Sequence, residues 1–406
     1  MRSSTLVRLK KAVLVCLALT VCLWGPKSAA AARLKYPFKP GALKIAPDEK
    51  LLVVAPHPDD EALGAGGLLS LYGPQTHVLV LTDGAKGRKG VPADEERKVR
   101  ARQFLDEMKL VRPAAHTLLG LPDGALWDHK TCLNGFDMSA YSKVFVAECD
   151  AHPDHAAAYA FVVEKLWGVS RRNERTPELY VYEVHKPLGN VSHTLDITDV
   201  MPKKRELIRC HADQLDQYCY EDIVVALNEL RGLVRNEPGR CYEAYCRVTP
   251  NFGSFSRALF PDGLPNDADE ARAFLKRVVV PIVTPGGKKT TMKLQLHPQL
   301  ERPVQRAFAE MAEAGFRVDP RTTGAWRWSV AKKTGVVSKH AYGLAIDLNW
   351  EHNGAAYTPQ WKYAPGKDPL SVTPQVVAIW KRHGFDWGGD FPADSFDPMH
   401  FCFTLR

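Results

Sequence analysis

Four short stretches of this 406-residue chain gather side chains that can bind a metal or move a proton. His57-Pro58-Asp59-Asp60 places an imidazole and two carboxylates at the end of an apolar run, and Asp150-Ala151-His152-Pro153-Asp154-His155 follows another such run. Far along the chain, His340 and Asp347 are followed by Asp397-Pro398-Met399-His400, which repeats the ligand types. Histidine and aspartate together suit zinc, which takes three protein ligands at a catalytic site and lowers the pKa of its water to about 7.

In the first pair of stretches we read His57, Asp60 and His155 as the metal ligands. Asp59 is then the general base that takes a proton from the water and passes it to a leaving amine, and His152 donates to the tetrahedral oxyanion. In the second pair the ligands are His340, Asp347 and His400, with Asp397 placed to activate the water. Arg327 is the candidate to hold an oxyanion or a substrate carboxylate. Because His340 and Asp347 are separated by small, apolar residues, a bend or strand has to bring them together.

The elements needed to position these groups are legible in part. Leu51 to Ala55, His77 to Thr82, Lys143 to Cys149 and Leu179 to Val184 read as strands, with helices between them at Glu61 to Tyr72, Ala93 to Met108 and Ala156 to Trp167. Alternation of this kind gives βαβ units and a parallel sheet. The loops at His57, Asp83 and His152 all follow strands, at the carboxyl edge where open sheets form their sites. Gly64, Gly66 and Gly67 lack the spacing of a dinucleotide fingerprint, so close helix packing is the better explanation for them. Between Asn251 and Asp269 the composition turns to Gly, Pro, Asn, Asp and Ser, the signature of a linker or an irregular junction, and a second domain begins near Arg272. We place a leader at 1–32, the first domain at 45–250, a linker at 251–271 and the second domain at 272–406.

The motifs His57-Pro-Asp-Asp60, Thr82-Asp83-Gly84, Leu121-Pro122-Asp123-Gly124, His152-Pro-Asp-His155 and Tyr242-Glu-Ala-Tyr245 resemble those of the PIG-L/LmbE-like de-N-acetylases. That resemblance implies a Rossmann-like fold and zinc-dependent removal of acetyl from an N-acetylglucosamine-type amine, with the roles falling on the residues named above. Arg97-Lys-Val-Arg100 departs from the family, which often has Glu at the fourth position, and we expect this to bear on packing or substrate choice more than on chemistry. Ser338-x-His340-x-x-Gly343-x-Ala345-x-Asp347, Trp387-Gly-Gly389 and Asp397-x-x-His400-Phe401 resemble the LAS zinc peptidases, especially L-alanyl-D-glutamate and D-alanyl-D-alanine peptidases. The second resemblance implies cleavage of peptidoglycan stem peptides. The expected fold class is thus an α/β parallel-sheet domain followed by a smaller α+β zinc peptidase domain, with one zinc in each.

Basic residues, the apolar run Ala12 to Trp24 and Ser28-Ala29-Ala30-Ala31-Ala32 read as a secretory signal too short for a membrane anchor. Its removal takes five bases and lowers the formal charge from +8 to +3. No basic cluster argues for nucleic acid, and no later stretch is apolar and long enough to span a bilayer. Seven of the nine cysteines remain, an odd number that sequence cannot pair. Export, amino-sugar deacetylation and peptide cleavage meet in peptidoglycan, which places the protein in the periplasm or outside the cell. Two other readings stay open: one domain is a wall-binding module, or the deacetylase acts on a small or lipid-linked N-acetylglucosamine conjugate.

Overall fold

The computed structural model describes residues 40–172, 174–215, 219–330, 335–354, 364, 369–393 and 395–404, so the leader expected at 1–32 lies outside the described residues. Strands β1 (Gly41–Ala42), β2 (Leu51–Ala55), β3 (Thr76–Thr82), β4 (Ala115–Leu121), β5 (Lys143–Ala147), β6 (Glu178–Tyr182), β7 (His193–Asp196) and β8 (Tyr242–Val248) form one sheet. Its order is β1-β7-β8-β6-β5-β2-β3-β4. The pairs from β6 through β4 are parallel, and β8 is inserted antiparallel between β6 and β7. This is the mostly parallel α/β sheet that the alternation implies.

Every residue of β2 is buried, as in a strand covered on both faces. Leu51, Val53 and Ala55 share a core with Phe104, Leu207 and Tyr245, whereas Leu52 and Val54 share another with Phe161 and Leu166. On the first face lie α1 (Asp60–Tyr72), α2 (Ala93–Val111) and α4 (Met201–Arg209). Helix α3 (Pro153–Arg171) lies on the second, and α5 (Tyr220–Val234) packs beside β8. A Cβ at Gly64 would stand 2.1 Å from the Tyr182 ring, and one at Gly67 would stand 2.3 Å from Ile197, so α1 approaches the sheet only with glycine there. Glu243 of β8 accepts from the Gly67 and Leu68 amides and pairs with buried Lys204.

The C-terminal part is smaller. A hairpin of β9 (Lys276–Val283) and β10 (Lys289–Leu296) packs on helix α6 (Glu301–Glu313), and a three-stranded sheet joins β11 (Ala345–Asp347), β13 (His400–Cys402) and β12 (Asp386–Trp387) in that order. Helix α7 (Pro374–Arg382) contributes Trp380, which stacks on Phe401 and meets Phe308 edge-on.

Of the two expectations for the segment at 251–271, a linker or an irregular junction, the described residues take the form of a packed, irregular junction. Phe252–Ser256 and Ala268–Phe274 are short helices, and Phe255, Leu259 and Phe260 are buried. Composition favoured turns, and turns are present, but the aromatic side chains among them have a core to enter. That core is continuous: the cluster holding Val54 and Phe161 also holds Leu296, Phe308, Trp380 and Phe403. At its edge, Trp127 meets Phe161 and Phe403, and Asp128 lies 3.2 Å from both Arg302 and Arg306. Lys130 Nζ pairs with Glu164 at 2.8 Å and donates to the Gly384 and Phe403 carbonyls at 2.9 and 2.6 Å. Among the described residues no helix is long and apolar enough to cross a membrane.

Truncating a buried, paired ammonium costs on the order of 3 kcal/mol. Lys130→Met is therefore expected to lower the thermal midpoint of the whole molecule in a single cooperative transition. Two separate calorimetric transitions, with only one displaced, would contradict the shared core.

Candidate metal centres

The first centre stands at the carboxyl end of the parallel strands. The chain leaves β2 at Pro56, turns through His57 to Asp59 and enters α1 at Asp60, while β5 is followed by Asp150 to His152 and then α3. His152 caps α3, its Nδ1 accepting from the Asp154 amide at 3.2 Å. Thus two helix N-termini and two strand ends deliver the histidines and aspartates to one place.

Asp60 is the hub. Its Oδ2 lies 3.1 Å from His57 Nδ1 and 3.3 Å from His155 Nε2, and also accepts from the His57 amide at 2.9 Å. Neither ring nitrogen of fully buried His155 is aligned for a hydrogen bond, although both lie near carboxylate oxygens. A tetrahedral zinc with bonds of about 2.0–2.1 Å sets its ligand atoms about 3.3 Å apart. The two edges that meet at Asp60 have about that length, and the candidate metal groups join His57 with His152 and His155 and Asp60 with His155 and His185, so the donor chemistry here suits a metal ion although no single group holds all three expected ligands.

His152 lies close by, its ring centroid 4.6 Å from that of His57 and 5.2 Å from that of His155. Asp59 lines the same cavity of about 260 Å³. Its carboxylate is not free: Arg100 Nη2 reaches Asp59 Oδ1 at 3.0 Å. Arg100, treated above as a matter of packing or substrate choice, therefore touches the carboxylate expected to do proton transfer.

Several neighbours were given no role in the sequence reading. His57 Nε2 faces Asp154 Oδ2 at 3.3 Å and Asp123 Oδ1 at 3.5 Å, and Asp154 also accepts from the Gly124 and Leu126 amides. Asp150 bridges His155 Nδ1 at 3.0 Å and His185 Nδ1 at 3.1 Å, and the rings of His155 and His185 stack. Asp123, Asp150 and Asp154 stand inside or beside the motifs that were singled out, so their position was a signal. His185, 30 residues beyond His155 with no motif around it, offered none.

The electrostatics follow from burial opposed by these contacts. Burial would lower the pKa of His57, but Asp123, Asp154 and Asp60 hold it well above the ordinary value. His155, likewise opposed by burial, is raised to about 9 by Asp60 and Asp150. Burial would raise Asp60, yet His155 and His57 hold it well below the carboxylate range. His152 is pushed down by burial and by the charges of His57 and His155, which favours its neutral form.

Behind this centre lies a second buried group, Glu61, Glu107 and His211, with His211 Nε2 2.9 Å from Glu107 Oε2. Burial, aided by the charges of Asp59 and Asp60, pushes Glu61 up to about 8. Burial and Glu61 push Glu107 well above its usual range, and burial lowers His211 to about 4.

The second centre is built by strand register. In the antiparallel pair of β11 and β13, Asp347 is directly opposite His400. His340 comes from a turn at Lys339–Tyr342 that ends on Gly343 at φ +66°. Its Nδ1 donates to the Ala325 carbonyl at 2.5 Å, which turns Nε2 toward the other two ligands. His340 Nε2, His400 Nδ1 and Asp347 Oδ1 then form a nearly equilateral triangle with edges of 3.1, 3.0 and 3.1 Å. Two imidazole nitrogens and one carboxylate oxygen at that spacing fit one face of a zinc tetrahedron. Burial would raise Asp347, but the two histidines hold it below the carboxylate range, and Asp347 with Cys402 raises His400 to about 10 against burial.

Arg327 is exposed and lines a cavity of about 670 Å³ together with His340, Asp347, Trp326 and Trp350. Asp397 stands in the turn before His400: its amide donates to the Gly388 carbonyl, and its carbonyl accepts from the His400 amide. A Cβ at Gly388 would stand 2.1 Å from the Asp397 carbonyl, which accounts for one glycine of the Trp-Gly-Gly motif. Of the three aromatic residues near the ligands, Trp326 lines the cavity, Tyr342 packs with Phe252 and Phe260, and Trp387 donates to the Pro398 carbonyl.

Residues 52–166 match the model of the PIG-L family, GlcNAc-PI de-N-acetylase, and residues 331–403 match a D-alanyl-D-alanine carboxypeptidase family of M15 type. No curated protein matches the chain. Among solved structures the chain is similar to the conserved protein TT1542 from Thermus thermophilus, at 25% identity and TM-score 0.43, over 50% of this chain and 96% of that one. It is also similar to N,N'-diacetylchitobiose deacetylase from Pyrococcus horikoshii, at 20% identity and TM-score 0.41, over 52% and 85% of the two chains. A third is GalB, the 4-carboxy-2-hydroxymuconate hydratase of Pseudomonas putida, at 19% identity and TM-score 0.40, over 50% and 97%.

A carboxyl whose pKa is raised in the folded state holds its proton more tightly there. Stability is then lost as pH rises from the ordinary value near 4.5 through about 8 for Glu61, and burial shifts its partner Glu107 in the same direction. His211, lowered to about 4, gives the opposite slope, confined to pH below 6.5. Glu107→Gln should therefore gain stability relative to the parent protein as pH rises from about 6.5 to about 8.5. Chemical denaturation at those two pH values and equal metal loading measures this, and parallel curves would contradict it.

Proposed function

We infer, from a chain that joins a PIG-L-type de-N-acetylase segment to an M15-type peptidase segment, that it is an exported zinc hydrolase with two activities on peptidoglycan. The N-terminal part removes acetyl from an N-acetylglucosamine-type sugar, and the C-terminal part cleaves the stem peptide. The observation that carries this reading is the presence of two separate gatherings of histidine and aspartate donors, one around Asp60 with His57 and His155 each about 3 Å from it, the other a triangle of His340, Asp347 and His400 with edges of about 3 Å. A wall-binding module would have no need of a second complete ligand set.

His57, Asp60 and His155 hold one zinc, and His340, Asp347 and His400 hold the other. Bound zinc supplies a Lewis acid and a water acidic enough to ionise near neutral pH. In the first centre Asp59 accepts the proton of the attacking water and returns it to the departing amine. His152, kept neutral by burial and its neighbours, offers an N–H to the oxyanion. In the second, Asp397 serves the water, and exposed Arg327 binds the oxyanion or a peptide carboxylate. The roomier second cavity suits a peptide.

A second reading gives the deacetylase a small or lipid-linked N-acetylglucosamine conjugate. It is favoured by the first cavity, which at about 260 Å³ lies below the usual range for ligand pockets and suits a single terminal sugar better than the interior of a strand.

The protein, zinc-loaded and freed of residues 1–32, should release acetate from purified peptidoglycan and shorten its peptides, as read by mass spectrometry of the digested fragments. His155→Ala should abolish only the loss of acetyl, and His400→Ala only the peptide scission. Peptide scission with no acetyl loss would remove the wall glycan as the first substrate and favour the second reading. Asp59→Asn should retain two zinc ions per chain by elemental analysis while deacetylation falls about 100- to 10,000-fold; unchanged turnover would remove Asp59 as the base.

A further inference from the structure

Helix α2 presents two arginines one turn apart to the ends of two strands. Arg97 Nε donates to Asp83 Oδ2 at 2.8 Å, and Asp83 in turn accepts from the Ala85 and Asp123 amides. Arg100, 2% exposed, sends Nη2 to Asp59 Oδ1 at 3.0 Å and lines the same cavity as His57, Asp60 and His152. The backbone makes room for it. Gly84 has φ +60°, and a Cβ there would stand 2.8 Å from Arg100 Nε and 3.0 Å from Pro58 Cδ. Nε and Nη1 of Arg100 have no hydrogen-bond partner among the described residues, so the contact with Asp59 is what its buried charge is directed to.

We propose that Arg100 is a positioning residue for the deacetylation step: it holds Asp59 by Oδ1 and leaves Oδ2 as the oxygen open to the proton of the attacking water. The proposal rests on the reading of Asp59 as proton acceptor. A carboxylate on a turn can rotate about χ1 and χ2, and only a fraction of its rotamers place an oxygen within hydrogen-bond reach of a water in the cavity. One close ion-pair contact with a guanidinium fixed on a long helix restricts that freedom.

The test is a double-mutant cycle of Arg100→Gln and Asp59→Asn in the full chain, read in two ways. With an N-acetylglucosamine substrate that the parent protein turns over, Arg100→Gln should lower kcat about 10- to 100-fold with KM and zinc content within twofold, and Arg100→Lys should restore part of it. The double variant should be no slower than Asp59→Asn alone. Gly84→Ala, which displaces the guanidinium without removing it, should reproduce the kcat loss. Peptidase turnover at the second centre monitors folding and should be unchanged. Additive losses in kcat, or equal losses in the Gln and Lys variants together with loss of zinc, would overturn the proposal and leave Arg100 a packing residue.

The second reading is thermal unfolding of the metal-free protein, where the shifts in midpoint of the two single variants should not add if the side chains are paired. This cycle does not depend on turnover. If no N-acetylated sugar is deacetylated, the functional reading fails, while additive midpoint shifts would overturn the Arg100–Asp59 pairing by themselves.

Discussion

Negative charge brought together out of water has to be met by positive charge, and the N-terminal part is organised around that requirement. Asp59, Asp60, Asp123, Asp150 and Asp154 converge where β2, β4 and β5 end, most of them with little exposure. Parallel strands deliver loops to one edge of a sheet, and the helices that follow point their positive N-termini at the same edge. Histidines 57 and 155 stand among these acids with pKa values raised against the effect of burial. Arg100 and Arg97 meet the same requirement from α2, one for Asp59 and the other for Asp83.

The C-terminal part reaches a comparable donor triangle by different means. Asp347 and His400 are 53 residues apart, and only the antiparallel register of β11 with β13 makes them neighbours. His340 is aimed by a hydrogen bond from its other nitrogen to a backbone carbonyl, an arrangement that fixes the tautomer and orients the ring. In the first centre the ligands are held by loops and helix starts, whereas in the second they are held by strand pairing. Two architectures that share no pattern of residues thus each bring histidine and aspartate side chains within about 3 Å of one another.

This difference explains what could be read in the sequence. The ligand stretches were legible because histidine and aspartate are uncommon next to buried strands, and the strands themselves were legible as apolar runs. The parallel core followed from their alternation. The antiparallel insertion of β8 was not legible, because pairing of Tyr242–Val248 with both β6 and β7 is set by tertiary contacts and not by any local period. His185 and His211 carried no local signal, since each reaches its acid partner only through the fold. The contact of Arg100 with Asp59 was not legible, because the loop that bears Asp59 lies 41 residues earlier in the chain, and sequence spacing says nothing about which helix faces it. The segment 251–271 was judged by composition, and composition cannot report that Phe255 and Phe260 have a core to enter.

The continuity of that core bears on how two activities can share one chain. Asp123 faces His57; four residues later Trp127 lies between Phe161 and Phe403, and three after that Lys130 donates to the carbonyl of Phe403, just beyond the strand that begins at His400. Within eight residues the chain therefore runs from the wall of the first centre to the support of the second. Separately folded parts on a flexible tether would sample many arrangements and act independently on a polymer. Parts fused through Trp127, Lys130 and the aromatic residues of α7 and β13 present their centres in one fixed relation, so the substrate must bring its amide bonds to the protein rather than the reverse.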